Sequence, residues 1–138
     1  MLKKESGISN VGNVFITLTT LVVVLIMIVA TMGYMENYDI RDNIDVVARE
    51  YILRMETQGY LTPEAKQQLI DALTEVGVTD ISLEGTTEAE VEYGEQILLC
   101  ISGKVQLYSF SLDSLFEVNE SYEWTEFELT PKCSTAKK

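Results

Sequence analysis

The hydrophobic pattern divides this chain into three stretches with different periods. From Ser6 to Met35 no residue is charged, and the centre, Val14–Met32, is apolar except for four threonines. Nineteen helical residues at about 1.5 Å each match the ~30 Å hydrocarbon core of a bilayer. The β-branched run Leu21–Ile26 is a mediocre helix former in water. In lipid the backbone must bond to itself, so this stretch is expected to be a membrane-spanning helix. From Ile40 the apolar residues Ile44, Val47, Ala48, Tyr51, Ile52 and Met55 recur at steps of three and four. That spacing predicts one face of an amphipathic helix ending near Gly59. Asp45/Arg49 and Glu50/Arg54 are acid-then-base pairs four residues apart on its other side. One helix from about Ser9 to Gln58, kinked or broken near Gly33 if at all, is the simplest reading.

Thr62-Pro63-Glu64 begins a second helix: Thr62 caps, Pro63 suits the first turn, and Glu64 favours the positive end of the dipole. Ala65, Leu69, Ala72, Leu73 and Val76 form its buried stripe, and Gly77 ends it. The period then falls to two. Val78–Glu84 reads as a strand, and Gln96–Ile101 as a strand apolar on both faces, suited to a covered central position. Gln106–Phe110 is a third strand or a continuation of the second. Ser111–Asn119 reads as a loop carrying Leu115 and Phe116. Glu120–Leu129 is the last strand. Tyr122 and Trp124 are out of phase with Phe127 and Leu129, which predicts a bulge near Thr125-Glu126. Gly94 and Gly103 mark bulges or bends, and residues 131–138 a frayed tail. The expected fold class is α+β: a long N-terminal helix, a short second helix, then a small antiparallel sheet packed on the helix. The expected divisions are a leader at 1–7, a transmembrane helix at 8–35, and a domain at 36–138 that includes the amphipathic helix 36–58.

Charge sets the expected orientation. Lys3 and Lys4 precede the span, whereas Glu36, Asp39 and Asp42 follow it with Arg41 alone in opposition. Basic residues beside a span stay in the cytoplasm, so the N-terminus is expected inside and residues 36–138 outside the cell membrane. The apolar run is too long for a secretory signal, and Ala30-Thr31-Met32-Gly33 is a poor cleavage site. Beyond the span stand eight basic and 21 acidic side chains, a net charge of −13. A field of that sign disfavours direct contact with nucleic acid phosphates or anionic lipid heads. The simplest account of the acidity is a solvated extracytoplasmic surface.

Little in the chain reads as chemistry. There is no histidine, the commonest general base, and no phosphate loop, nucleophile elbow or metal spacing. Glu90/Glu92 and Glu126/Glu128 are carboxylate pairs that an acidic strand produces by pleating alone. Asp39, Asp42 and Asp45 lack calcium-loop spacing. No catalytic, cofactor or metal site is expected, and the chain is read as non-enzymatic. Cys100 and Cys133 are either an extracytoplasmic disulfide closing a loop of about thirty residues, or a buried apolar residue and a loose thiol. Gly12, Thr17, Thr20, Thr31 and Gly33 are small or weakly polar positions that would let such helices approach one another in lipid. Being lipid-facing or bonded to the backbone accounts for them equally. The acidic, aromatic strand Tyr122–Leu129 is either a binding edge or a core strand.

A short basic leader ending in Gly, then an uncharged helix continuing as a domain spine, then a late sheet: this order resembles the type IV pilins. The leader is Met1-Leu2-Lys3-Lys4-Glu5-Ser6-Gly7, with Ile8 as the first residue after cleavage. Ala48-Arg49-Glu50-Tyr51 ahead of Gly59, Val91–Ile97 leading into the main strand, and the aromatic last strand with its basic tail are similar to TadE-like pseudopilins. They are similar also to small single-span proteins of Gram-positive conjugative elements. The resemblance implies cleavage between Gly7 and Ile8 by a prepilin peptidase. It also implies side-by-side helix assembly with copies of itself or other pilin-like subunits in membrane lipid, and a place in a surface filament or conjugation apparatus. Major pilins usually carry Glu at the fifth mature position; here that position is Gly12, which leaves a minor pilin, an initiating tip subunit or an uncleaved membrane component. The alternative is an uncleaved single-pass accessory or binding protein with an acidic outer domain.

Overall fold

The computed structural model describes residues 3–114 and 117–137. Its elements are helices α1 (Lys3–Gln58) and α2 (Pro63–Val76), then strands β1 (Thr79–Ser82), β2 (Gln96–Leu99), β3 (Ser102–Ser114), β4 (Glu117–Glu128) and β5 (Lys132–Thr135). The architecture is α+β, a long N-terminal apolar helix and a short second helix followed by antiparallel sheet packed on the helix. α1 runs without a break through Gly33. The chain divides into two compact units, Met1–Met35 and Glu36–Lys138. Leu115 and Phe116, expected in a loop, lie outside the described residues.

The second unit has one core. α1 contributes Ile44, Ala48, Tyr51, Ile52 and Met55, and α2 contributes Ala65, Leu69 and Leu73. Val78, Leu83, Ile97, Leu99, Ile101, Val105 and Ala136 close it from the strands and their connections. α1 begins at Lys3 and not near Ser9, whereas its C-terminal end and both ends of α2 are those the sequence predicts. Gly59 takes φ +83° and returns its N–H to the Met55 carbonyl at 2.7 Å. A Cβ there would stand 3.0 Å from the Val91 carbonyl oxygen, so both the turn and its neighbour require glycine. The Thr62 hydroxyl accepts the Ala65 N–H at 3.2 Å, and Gly77 ends α2 at φ +99°. Asp45–Arg49 and Glu50–Arg54 pair at 3.5 and 2.7 Å. Arg54 also donates to Gln68 of α2 at 3.1 Å.

The strands depart from the expected single sheet. They form a three-stranded antiparallel sheet in the order β1-β3-β4, and a separate pair of β2 with β5. β2 stops at Leu99, short of the expected Ile101, and it alternates strictly between exposed and buried. Leu98 is 36% exposed, so β2 is not covered on both faces. Its free edge is taken by a loop: Thr87 N–H donates to the Leu98 carbonyl at 2.9 Å, and the Thr86 hydroxyl accepts from Cys100 N–H at 3.1 Å.

No bulge interrupts Thr125-Glu126. The β3–β4 register is continuous from Ser102↔Glu128 to Leu112↔Val118, and it shifts only between Leu112 and Ser114. The change of phase in the sequence has another cause. Tyr122 and Trp124 lie on the solvent face of a regular strand, 58% and 56% exposed, whereas Phe127 lies on the core face. Gly103 is regular toward β4, and the β1–β3 register shifts opposite it, between Thr79↔Lys104 and Ser82↔Ser102. It sits in the ladder opposite Phe127, and a Cβ on it would come within 2.8 Å of Val78 Cγ1 and 2.9 Å of the Thr79 carbonyl oxygen. Glycine lets β1 cross close at that point. Gly94 is a turn residue at φ +85°.

Residues 132–137 are no frayed tail. β5 pairs with β2 in the register Leu98↔Cys133, and Ala136 is 1% exposed. Lys132 is ion-paired to Asp45, and the Ser134 hydroxyl donates to Glu56. Lys137 reaches the Glu56 carboxylate at 2.7 Å through its ammonium and the Glu56 carbonyl at 2.7 Å through its N–H. The apolar content of this stretch is too low to announce a strand; its order comes from partners far away in sequence.

Those contacts hold both carboxyls of α1 below the usual carboxylate range. For Asp45 the main cause is the hydrogen bond from Lys132, and for Glu56 it is the bond from Lys137, then that from Ser134. A carboxyl lowered on folding adds stability that is present at neutral pH and lost as pH falls through its folded value. The melting temperature is therefore expected to drop below about pH 4. A Lys132→Met chain should melt lower than wild type at neutral pH and approach it as both are acidified. Thermal melts of the two chains across that range check the sign.

Candidate membrane segment and packing surface

The first unit consists of the apolar part of α1. One helix is long and apolar enough to cross a membrane, near the N-terminus, and none of its most apolar 18-residue window is buried. Phe15, Leu18, Leu21, Leu25, Met27 and Met32 are each more than half exposed. An isolated row of this size is far larger than the apolar patches that water-exposed surfaces carry.

The residues singled out for helix packing do not share one seam. At about 100° per residue, Thr17, Thr20 and Thr31 fall within roughly 60° of one another. Gly12 and Gly33 lie on a neighbouring sector, also about 60° apart. Gly33 is buried, and Gly12 and the three threonines are exposed. Each threonine hydroxyl is already spent within the helix. Thr17 donates to the Asn13 carbonyl and Thr20 to the Ile16 carbonyl, both at 2.8 Å. Thr31 reaches Met27 and Ile28 carbonyls at 2.9 and 2.8 Å. Threonines bonded in this way present a methyl group and no free donor. Gly12 is different: a Cβ placed on it meets nothing within 4 Å. Gly7 and Ile8, the expected cleavage junction, lie in the first turns of α1.

Where the second unit begins, Asn37 holds the sheet to the helix. Its side-chain amide donates to the Tyr108 carbonyl at 2.9 Å, and its carbonyl accepts the Tyr108 N–H at 2.7 Å. The amide thus completes the edge of β3 as a neighbouring strand would. Sequence reasoning missed Asn37, and also Lys132 and Lys137. The only local signal for Asn37 is a short amide next to the apolar run.

Cys100 and Cys133 are both free. Cys133 stands opposite Leu98, two residues before Cys100. Cys100 itself lies past the end of β2, in the connection to β3, and the two residues stand as separate thiols, Cys100 half-buried and Cys133 exposed.

Among the described residues no three His, Cys, Asp or Glu side chains group to hold a metal, and none of the fully buried side chains is charged. The Glu90/Glu92 pair lies on the connection between β1 and β2, and Glu126 and Glu128 share the exposed face of β4. Comparison of the chain with protein families, with characterised proteins and with solved structures returned no match.

Proposed function

We propose that this protein is a pilin-like structural or assembly subunit, a minor pilin or pseudopilin, that works by packing its apolar helix against others in the membrane. One observation carries the reading. The same helix, α1, carries an uncharged apolar window with none of it buried and, nearer its C-terminal end, is the core-bearing spine of an α+β domain. An apolar helix surface of this kind is satisfied by lipid, by other helices, or by both. With Lys3 and Lys4 inside, the acidic domain faces out. The protein works without catalysis, by placing that domain at the outer surface.

The N-terminus and intact mass of the protein from native membranes test this first. A mature chain starting at Ile8 is the expected result. A chain that retains Met1 to Gly7 overturns the cleaved, filament-forming reading and supports the single-pass accessory protein. That second reading is favoured by Gly12 itself, which supplies no carboxylate where major pilins have one. Gly12→Leu gives a further expected outcome. Because a Cβ there meets nothing within 4 Å and Gly12 lies outside the core cluster, the domain should melt at the wild-type temperature. Crosslinked oligomers in the membrane should fall several-fold; unchanged crosslinking would sink Gly12 as a packing position.

A further inference from the structure

The sheet leaves one long edge open. Among the described residues β4 borders β3 on one side and no strand on the other. Which of its backbone groups face outward follows from Asn37. Because the Tyr108 N–H and C=O both turn to Asn37, the Tyr108↔Tyr122 pair exchanges no ladder bonds. Tyr122, Trp124 and Glu126 therefore point their own N–H and C=O away from β3. This is an edge ready to pair with another chain.

The side chains on that edge say what would pair with it. Glu120, Glu123, Glu126 and Glu128 are all exposed. Among the described residues Lys104 is the basic side chain that reaches them, at 3.6 Å from Glu126, and it is shared with Asp80 at 3.3 Å. A second copy of this strand would set glutamate rows against each other, which like charges disfavour. Tyr122 and Trp124, more than half exposed, offer ring faces to cationic groups and the apolar stems that carry them. We propose that the outer edge of β4 takes up, as an added strand, an extended peptide segment of a partner protein with Lys or Arg at alternate positions. Backbone bonds at Tyr122, Trp124 and Glu126 would supply affinity, and the glutamates with the two rings would select basic side chains.

The full chain in detergent micelles, with a ten-residue peptide alternating Lys and Val, tests this. The peptide should slow amide exchange at Tyr122, Trp124 and Glu126 at least tenfold and shift the emission of Trp124, the single tryptophan. The same peptide N-methylated at alternate residues keeps its charge but cannot pair, and should bind at least tenfold more weakly; so should one with Glu in place of Lys. Glu126→Pro removes an outward N–H that makes no ladder bond, and should weaken binding at least tenfold, against a few-fold for Glu126→Gln. Equal binding by the N-methylated peptide would reduce the effect to charge adsorption and overturn the proposal. So would amide protection that appears with rising protein concentration and no peptide, which would assign the edge to a second copy. The peptide comparison decides on the wild-type chain alone if Glu126→Pro does not fold.

Discussion

A chain ending at Thr130 should lose roughly 3–5 kcal/mol of domain stability, a large share of the 5–15 kcal/mol that typical domains possess. Three backbone bonds outside the ladder go with it: Gly94 N–H to Ala136, Ala136 N–H to Glu95, and Lys137 N–H to Glu56. At about 0.5–1.5 kcal/mol each these alone account for ~1.5–4.5 kcal/mol. The loss of β5 also strips the pairing edge of β2, uncovers the site filled by Ala136, and leaves Asp45 and Glu56 without their lysines. Exposed ion pairs contribute little, so most of the effect should survive high salt. Denaturant unfolding of the truncated and full chains in the same detergent, at low and high salt, checks both magnitude and origin. A frayed tail would leave the midpoint unchanged.

Leu69→Ala is expected to cost about 3 kcal/mol. Leu69 is 0% exposed and belongs to the cluster of Met55, Leu73, Ile97 and Leu99. Truncating such a side chain loses its transfer free energy and leaves a cavity, within the 2–5 kcal/mol seen for buried Leu-to-Ala changes. Leu18→Ala removes the same atoms from a residue that is 58% exposed on the apolar part of α1. It should shift the domain's unfolding by less than about 0.5 kcal/mol. The pair of measurements separates the two roles of one helix. A large effect of Leu18→Ala on domain unfolding would show that the apolar half also supports the core.

The parts of this protein legible in its sequence are those governed by near neighbours. The uncharged run Ser6–Met35 requires a helix wherever water is absent. The steps of three and four from Ile44 to Met55 name the core face of α1, and Thr62, Pro63 and Gly77 mark both ends of α2 because caps act within one turn. The threonine hydroxyls belong to the same class, since a helix brings each carbonyl three or four residues back within reach.

The tertiary structure decided everything that depends on distant pairing. Ser111–Ser114 reads as loop, yet it continues β3, because its backbone pairs with β4 as far as Ser114↔Glu117. Cys133 falls opposite Leu98 in the β2–β5 pair while Cys100 lies past the end of β2, a placement set by register, which is invisible in spacing. Lys132–Lys137 has too few apolar residues to signal a strand, and it is held by β2, Asp45 and Glu56 across more than thirty residues of chain. Asn37 serves as a strand surrogate only because the fold brings Tyr108 to it. In each case the deciding energy lies in backbone and polar bonds between segments far apart, which periodicity along the chain does not record.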